Sequence, residues 1–234
     1  MTKLDPKIEP LLWLQKAGFA AYLVGNAVRD RLLDNSEDNT DIDIATNARP
    51  DQVADILNAH RVLPGLVDEK FGVTSVRKDG IQFEITTFRS DIYDKKFADI
   101  RRYPDKIEFI KSARADAARR DLTINAIYYN PTANRFLDYV GGLSDMKAGI
   151  IRVIGNPRLR FKEDPIRILR AIRFRHQLGF KYHLTTEKAL AASADLLAKV
   201  SPNVIKKEMQ KLQALENYPE ARQDLIRFGL IKSV

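Results

Sequence analysis

The chain has 234 residues, of which 44% are hydrophobic and 30% are charged, and it contains no cysteine. These figures exclude a disordered chain, a disulfide framework and a zinc site with cysteine ligands, and they suffice for one domain or two small ones. The formal net charge of +8 favours a polyanionic partner such as nucleic acid, although a solvated basic surface would account for it equally well. The N-terminus lacks the pattern of a signal peptide and the apolar runs are too short to cross a bilayer, which predicts a cytoplasmic protein.

Short helices and strands alternate in the first half of the chain. Apolar spacing and turn residues predict a helix over 6–17, a strand over 19–24, a helix over 27–33, a strand over 40–45 and a helix over 50–59. Two apolar runs, 73–76 and 81–88, flank Lys78-Asp79-Gly80, and Asp-Gly between such runs is typical of a β-hairpin. Residues 90–106 are charged and show no period, so we predict a loop there.

The character of the chain changes near residue 150. Before it, residues 123–129 and 136–140 are predicted to continue the sheet or to pack beside it. After it, helical spacing predicts helices over 165–178, 185–199, 203–215 and 219–228. The sequence therefore predicts an α+β fold, with a mixed head over residues 1–150 and an all-helical segment over residues 151–234.

Asp41 and Asp43 are the first candidates for chemistry. In the predicted strand the period of two places both carboxylates on one face, while Ile42 and Ile44 point to the opposite face. Two adjacent carboxylates repel each other, and a divalent cation would offset that repulsion. Mg²⁺ takes one or two protein carboxylates together with phosphates and water, and a pair of such ions supports phosphoryl transfer. By itself, Asp-x-Asp is weak evidence and would favour a solvated strand face over a metal site.

Two neighbouring features strengthen the metal-site interpretation. Gly25-Asn26 lies between a predicted strand and a predicted helix, where backbone N–H groups could bind a triphosphate. Glu84 lies on the polar side of an alternating strand and could supply a third carboxylate. The alternatives are an ordinary strand-to-helix turn and a surface glutamate.

Four segments resemble motifs of one enzyme family. YLVGNAVRD (22–30) followed by DIDIAT (41–46) resembles the first motif of the class II tRNA nucleotidyltransferase and bacterial poly(A) polymerase family. RRDLTINA (119–126) resembles the family's second motif, DYVGG (138–142) its third and RFKEDPIRILRA (160–171) its fourth. The segments occur in the family's order, which makes the set highly specific.

This resemblance implies a polymerase-β-like nucleotidyltransferase head followed by a helical neck. It implies Mg²⁺-dependent transfer of nucleotides from CTP and ATP, or from ATP alone, to the 3′ end of RNA without a template, with tRNA as the expected acceptor. Asp41 and Asp43 would be catalytic carboxylates that hold the metal ions. Glu84, from its strand position, is the further candidate for a catalytic carboxylate. The residues that would bind the nucleotide are Gly25, Asn26, Arg29, Arg119, Arg120, Asp121, Asn125, Asp164, Arg167 and Arg170.

The fourth motif offers a physical basis for selecting cytosine and adenine. Both bases present an amino donor beside a ring-nitrogen acceptor, whereas uracil and guanine present the reverse. A carboxylate only accepts hydrogen bonds and a guanidinium only donates them, so Asp164 and Arg167 together would fit C and A. Their spacing of three places them on one helix face. Asp164 before Pro165 is also typical of a helix cap, and both interpretations can hold.

Other charged residues of the motifs carry weaker signals. Asp121 and Asn125 are four residues apart, so we expect them to share a helical face. The resemblance suggests that Asp121 and Arg120 help to hold the ribose and phosphates of the nucleotide, and a surface Arg-Asp pair is the alternative. For Arg170 and Arg173, a partly solvated helix face has more weight than a basic ridge for triphosphate or RNA.

The predicted loop over 90–106 combines basic and aromatic residues, a composition that suits a single-stranded RNA end. A surface loop without a partner is equally compatible with it. The residues that we expect to contact RNA are Lys95, Lys96, Arg101 and Arg102.

The chain departs from the family pattern at Asn26, where members usually have a second glycine. Because asparagine tolerates unusual backbone angles, we expect triphosphate binding to survive. We also expect the family's further tRNA-binding domains to be absent after the neck. We favour CCA addition over poly(A) addition. A non-catalytic RNA-binding module and a minimal nucleotidyltransferase with another acceptor are the remaining alternatives.

Overall fold

The computed structural model describes residues 5–33, 40–93 and 103–232. Contacts divide the chain into two compact units that interleave along the sequence. The first unit comprises Met1–Ile92, Lys106–Arg120 and Asn125–Gly142, and the second comprises Tyr93–Asp105, Asp121–Ile124 and Leu143–Val234. Each unit is therefore assembled from segments that are separated in the sequence.

Strands dominate the first unit. Those that the structure describes are β1 (Ala21–Val24), β2 (Asp41–Thr46), β3 (Val67–Asp68), β4 (Val73–Lys78), β5 (Ile81–Thr87), β6 (Arg89–Ile92), β7 (Lys106–Phe109), β8 (Ile127–Asn130) and β9 (Arg135–Asp138). Within this described set, seven strands form one sheet in the order β3-β4-β5-β2-β1-β8-β9, and β6 pairs with β7 in a separate hairpin. Neighbours in the large sheet are antiparallel except β2 and β5, which run parallel.

Short helices join these strands. The first unit contains α1 (Glu9–Lys16), α2 (Asn26–Leu32), α3 (Pro50–Ala59) and α4 (Ala113–Arg119). Local chemistry explains α3: Pro50 fills the first helical position, and the backbone N–H of Arg49 donates to the Gln52 side chain at 2.9 Å. Val53 and Leu57, one turn apart, supply its buried face.

Strand alternation decides which side chains enter the core of the first unit. Ile42 lies beside Phe83 in the β2–β5 register, and both are buried. Asp43 lies beside Glu84 in the same register, so these two carboxylates are on the opposite face of the sheet. The predicted hairpin is confirmed, since Asp79 and Gly80 join β4 to β5 with positive φ angles of 51° and 80°.

The second unit is mainly helical. Its elements are α5 (Gly142–Ala148), β10 (Ile150–Ile151), α6 (Pro157–Glu163), α7 (Ile166–Leu178), β11 (Lys181–Tyr182), α8 (Leu184–Ala191), α9 (Pro202–Gln213) and α10 (Tyr218–Arg227), with a 3₁₀ helix over Ala194–Lys199. The long helix α7 packs against α6, α9 and α10 and ends at Gly179, whose φ of 67° gives a left-handed cap. Among the residues that the structure describes, no helix has the length and hydrophobicity to cross a membrane.

Some expectations for individual elements were wrong. Residues 90–92 lie in β6 and are not part of a loop, because their charged side chains hid a short strand that pairs with β7. The helix expected over 185–199 is broken near Ala192, where α8 ends before the 3₁₀ helix. The sequence interpretation also missed α4, since ARADAAR has too few apolar residues to show a period.

We expect Phe83→Ala to lower the free energy of unfolding by about 3–5 kcal/mol, because the ring is fully buried between β2 and β4. Denaturation in urea would measure the change. The control is Leu63→Ala, whose side chain is 82% exposed and whose effect should stay within about 0.5 kcal/mol. Equal losses for the two variants would contradict the assignment of Phe83 to the core.

Candidate active site

Gly25 joins β1 to α2 in direct contact with a carboxylate. Its φ of 72° and ψ of −132° lie outside the regions that side chains favour. A Cβ atom at this position would overlap Oδ2 of Asp43, which lies opposite Val24 in the β1–β2 register. The glycine is therefore needed twice, for its backbone angles and for the close approach of the aspartate.

The carboxylates of β2 and β5 lie on one sheet face, as the alternation predicted. Asp41 and Glu84 are exposed, whereas Asp43 is half-buried. Burial raises the pKa of Asp43 above its ordinary value, Asp41 adds to the rise, and Arg120, Arg29 and the backbone N–H of Asn26 oppose it. The ionised form of Asp43 is therefore destabilised by burial and by Asp41, and a bound cation would stabilise it.

The donor set suits an ion that brings other ligands with it. In the described parts of the chain, no three His, Asp or Glu side chains are grouped so that they could hold a metal ion by themselves. Asp41 and Asp43 present carboxylate oxygens, which are hard donors, on one face of the sheet. Mg²⁺ commonly takes one or two carboxylates and completes its shell with phosphate oxygens and water. The two aspartates fit that requirement.

Asn26 accepts a hydrogen bond from Arg29, which is only 2% exposed. One guanidinium nitrogen of Arg29 donates to Oδ1 of Asn26, and the other donates to Oδ1 of Asn125 at 2.5 Å. The asparagine that replaces the family's second glycine therefore gains a partner inside the site. Its backbone N–H still faces Asp43.

Asp116 was missed by the sequence interpretation. It is fully buried on α4 and accepts hydrogen bonds from Arg119 at 2.8 Å, Arg120 at 3.1 Å and the Tyr128 hydroxyl at 2.6 Å. The backbone N–H of Arg89 adds a fourth at 3.2 Å. Its position three and four residues before two arginines is the signal that could have identified it.

The charge of Asp116 is stabilised by these neighbours. Burial by itself would raise its pKa, but Arg120, Arg119, the Tyr128 hydroxyl and the Arg89 N–H outweigh burial and lower the pKa from 3.8 to about 2. The pKa of Tyr128, by contrast, is raised above its ordinary value by burial and by the negative charge of Asp116. Asp116 is therefore ionised in the folded protein at neutral pH.

In the second unit, Asp121 pairs with Arg170. The guanidinium of Arg170 donates to Oδ2 of Asp121 at 2.7 Å, while Oδ1 accepts the N–H of Leu122 at 2.8 Å. The negative charge of Asp121 raises the pKa of Arg170. Arg170 therefore fixes a second-motif carboxylate to α7.

The solvated-face interpretation of Arg173 was wrong. Its Nε donates to Glu208 of α9 at 2.5 Å, and its guanidinium lies over the Phe174 ring at 4.1 Å. Both side chains of the ion pair are largely buried. Arg173 joins two helices of the second unit.

The fourth motif spans the end of α6 and the start of α7, and Asp164 lies in the short connection between them. Its Oδ1 accepts the N–H of Ile166 at 3.3 Å, while the N-cap of α7 is the next residue, Pro165, and Asp164 itself is the C-cap of α6. Arg167 is buried in the first turn of α7 and donates to the Arg160 carbonyl at 3.0 Å and to Glu163 at 3.1 Å. Glu163 also accepts from Arg160 at 2.5 Å, so one carboxylate holds two arginines.

The structure distributes the expected site residues over both units. The first contains Gly25, Asn26, Arg29, Asp41, Asp43, Glu84, Arg119, Arg120 and Asn125, and the second contains Asp121, Asp164, Arg167 and Arg170. The expectation that Asp121 and Asn125 share a helical face was wrong, because α4 ends at Arg119 and only a 3₁₀ turn over Thr123–Asn125 follows. Lys95, Lys96, Arg101 and Arg102 lie outside the described residues.

Comparison with known proteins agrees with this arrangement. Residues 21–152 match the sequence model of the poly A polymerase head domain. The chain belongs to the tRNA nucleotidyltransferase and poly(A) polymerase family. The matched segment of this family member contains the first three motifs.

Curated relatives carry the name CCA-adding enzyme. The chain is 40% identical to that of Ligilactobacillus salivarius, with 94% of this chain and 52% of the relative covered. Identity to that of Bacillus licheniformis is 38%, with 100% of this chain and 56% of the relative covered. The chain thus spans about half the length of the curated relatives that it matches.

Solved structures confirm the predicted fold. A Bacillus stearothermophilus CCA-adding enzyme in complex with CTP superimposes with a TM-score of 0.84 at 33% identity, covering 98% of this chain and 54% of that one. A tRNA nucleotidyltransferase with a primer tRNA and an ATP analogue gives 0.75 at 27% identity, covering 95% and 62%. The family member described here therefore has an α+β nucleotidyltransferase head with a helical neck.

We expect Gly25→Ala to destabilise the protein more than Gly18→Ala does. Both glycines have positive φ, so both variants acquire backbone strain, but a Cβ at residue 18 would meet nothing within 4 Å. The clash with Asp43 should add about 1–3 kcal/mol to the loss at residue 25. Chemical denaturation would measure both, and combining Gly25→Ala with Asp43→Ala should recover the extra loss. No recovery would show that the strain does not come from Asp43.

The depressed pKa of Asp116 predicts a specific acid sensitivity. Its contribution is present above the unfolded-state pKa near 3.8 and is lost as the pH falls through the folded-state value of about 2. The stability difference between the wild type and Asp116→Asn should therefore shrink by about 2 kcal/mol between about pH 5 and about pH 2. Urea denaturation at a series of pH values measures this, and a difference independent of pH would contradict it.

Proposed function

We propose that the protein is a template-independent RNA nucleotidyltransferase that adds C and A from CTP and ATP to the 3′ end of tRNA. The observation that carries the proposal is the contact between the Gly25 turn and Asp43, which builds a phosphate-binding turn against a candidate metal ligand. The names of the relatives, and the solved relatives with CTP and with primer tRNA, support the choice of substrates. A cytoplasmic location stays a prediction.

Asp41 and Asp43 would hold Mg²⁺, with Glu84 as a third carboxylate on the same sheet face. When bound, Mg²⁺ would stabilise negative charge on the phosphates and favour ionisation of the attacking hydroxyl. The half-buried position of Asp43 supports this assignment, because a carboxylate that is desolvated and close to another one favours a cation.

The reaction that we propose is attack by the RNA 3′ hydroxyl on the α-phosphorus of the nucleotide. A new P–O bond forms to the RNA, the bond to the β-phosphate breaks, pyrophosphate leaves and the hydroxyl proton is released to water. Arg29, Arg119 and Arg120 of the first unit would bind the triphosphate, so catalysis would consist of positioning and charge stabilisation. We assign base selection to Asp164 and Arg167 and a ribose contact to Asp121.

The burial of Arg167 supports its role in base selection. A guanidinium held by Glu163 and by a backbone carbonyl has a fixed orientation, which a hydrogen-bond reader of bases requires. Rejecting U and G would follow from leaving buried donors or acceptors unpaired, at about 1–3 kcal/mol each. Asp164 accepts the N–H of Ile166 through Oδ1, and a carboxylate has further lone pairs with which it could accept from a base.

Poly(A) addition is the second candidate, because the matching sequence model is that of the poly A polymerase head domain. The two functions differ in their use of CTP and in their acceptor. An assay with each labelled nucleotide on two acceptors, tRNA that lacks its 3′ terminus and unstructured RNA, separates them. We expect C and then A on the tRNA. Addition of A alone to both acceptors would favour poly(A) addition, and no addition would overturn the proposed function.

We expect Asp41→Asn and Asp43→Asn to lower incorporation by on the order of a thousandfold, because each removes a charge from the phosphate-facing pair. Asp55→Asn is the matched control, since Asp55 is an exposed aspartate on α3, and its activity should equal that of the wild type. Circular dichroism would check that all three variants fold. Incorporation at the wild-type rate by either site variant would refute the metal assignment.

A further inference from the structure

We infer that Asp116 is a positioning residue, which holds the guanidinium of Arg120 in the orientation that binds the nucleotide triphosphate. This inference rests on the proposed function and deepens it. No motif that the sequence resembles includes Asp116, since the second motif begins at Arg119. The burial of Asp116 and its hydrogen bonds to Arg120 and Tyr128 support the inference.

Asp116 binds Arg120 through two separate routes. Its Oδ2 accepts directly from Nε at 3.2 Å and Nη2 at 3.1 Å of Arg120, so that one edge of the guanidinium faces this oxygen. The same oxygen accepts from the Tyr128 hydroxyl at 2.6 Å, and that hydroxyl in turn accepts from Arg120 Nε at 3.1 Å. Carboxylate, hydroxyl and guanidinium thus form a closed triangle.

The backbone alone cannot orient Arg120. Helix α4 ends at Arg119, and Arg120 has an extended conformation with φ of −65° and ψ of 171°. A long side chain on such a residue has many rotamers, and fixing them carries an entropic cost. The buried carboxylate offsets that cost before the substrate arrives, which is what a preorganised phosphate site requires.

The location of Arg120 in the first unit explains why its orientation matters. Tyr128, a hydrogen-bond partner of Arg120, lies on β8. Strand β8 pairs with β1, and β1 pairs on its other side with β2, the strand of Asp41 and Asp43. In the proposed function Arg120 is one of the arginines that bind the triphosphate, so its orientation matters for nucleotide binding. Arg119 is fixed differently, because it also lies within 3.9 Å of Asp91.

A purely structural role for Asp116 makes a different prediction. Removing a buried ion pair destabilises a protein whether or not its arginine binds substrate. Asp224 offers a matched comparison in the second unit: it is buried, accepts from the Tyr182 hydroxyl at 2.9 Å and from His176 at 3.0 Å, and lies 3.8 Å from Arg175. Asp224→Asn should lose stability without any change in nucleotide affinity.

The test is equilibrium binding of ATP, measured by isothermal titration calorimetry with Ca²⁺ in place of Mg²⁺, together with KM and kcat for ATP incorporation. We expect Asp116→Asn to weaken ATP binding and raise KM on the order of tenfold, with a smaller change in kcat. Tyr128→Phe removes one side of the triangle but no charge, so its KM should lie between those of the wild type and Asp116→Asn. Asp224→Asn should bind ATP as the wild type does.

A double-mutant cycle decides whether Asp116 acts through Arg120. We expect Arg120→Ala to weaken ATP binding. In that background Asp116→Asn should add less than about twofold, because Arg120 is gone and Arg119 keeps its second carboxylate partner, Asp91, at 3.9 Å. Full multiplication of the two effects, or unchanged affinity in Asp116→Asn, would overturn the inference. Because ATP binding needs no RNA acceptor, failure of the wild type to extend RNA would refute the proposed function without affecting this result.

Discussion

The approach of Asp43 to the Gly25 turn is the constraint on which the candidate active site depends. The β1–β2 register sets Asp43 opposite Val24, and the turn that follows β1 leaves room for the carboxylate only because residue 25 has no side chain. Burial of Asp43 raises its pKa, and the neighbouring Asp41 adds to the rise. The Gly25 turn and the Asp43 carboxylate therefore lie together at one edge of the β1–β2 pair, where a cation would be stabilised.

Arginines around this point are held by partners of their own, so that they are oriented before any substrate binds. Arg29 is fixed by two asparagines and Arg120 by Asp116 and Tyr128. In the second unit, Glu163 plays the corresponding part for Arg167. Buried guanidinium groups need such partners, because burying a charge without one would cost several kcal/mol. The partners, which are less conspicuous in the sequence than the arginines, determine where the positive charge can act.

Much of the fold followed from the sequence where local signals were strong. Helix α3 was predicted with its observed ends, because proline at its first position and apolar residues one turn apart are properties of the segment itself. The β4–β5 hairpin followed from Asp79-Gly80 in the same way. Strand β6 did not, since RSDI forms a strand by pairing with β7. Helix α4 did not either, since ARADAAR has too few apolar residues to show a helical period, although Ser112 caps it. The role of Asp116 was hidden because Tyr128 and the N–H of Arg89 reach it only in the folded chain.

By itself the sequence determined the family and the face on which Asp41 and Asp43 lie, because motifs and strand alternation are read directly from the order of the residues. Only the tertiary structure decided which arginine belongs to which carboxylate. Arg170 joins Asp121, and Arg173, which the sequence suggested was solvated, joins Glu208 on another helix. Such pairs bring together residues dozens of positions apart. Their strength depends on distance and burial, which no spacing along the chain encodes.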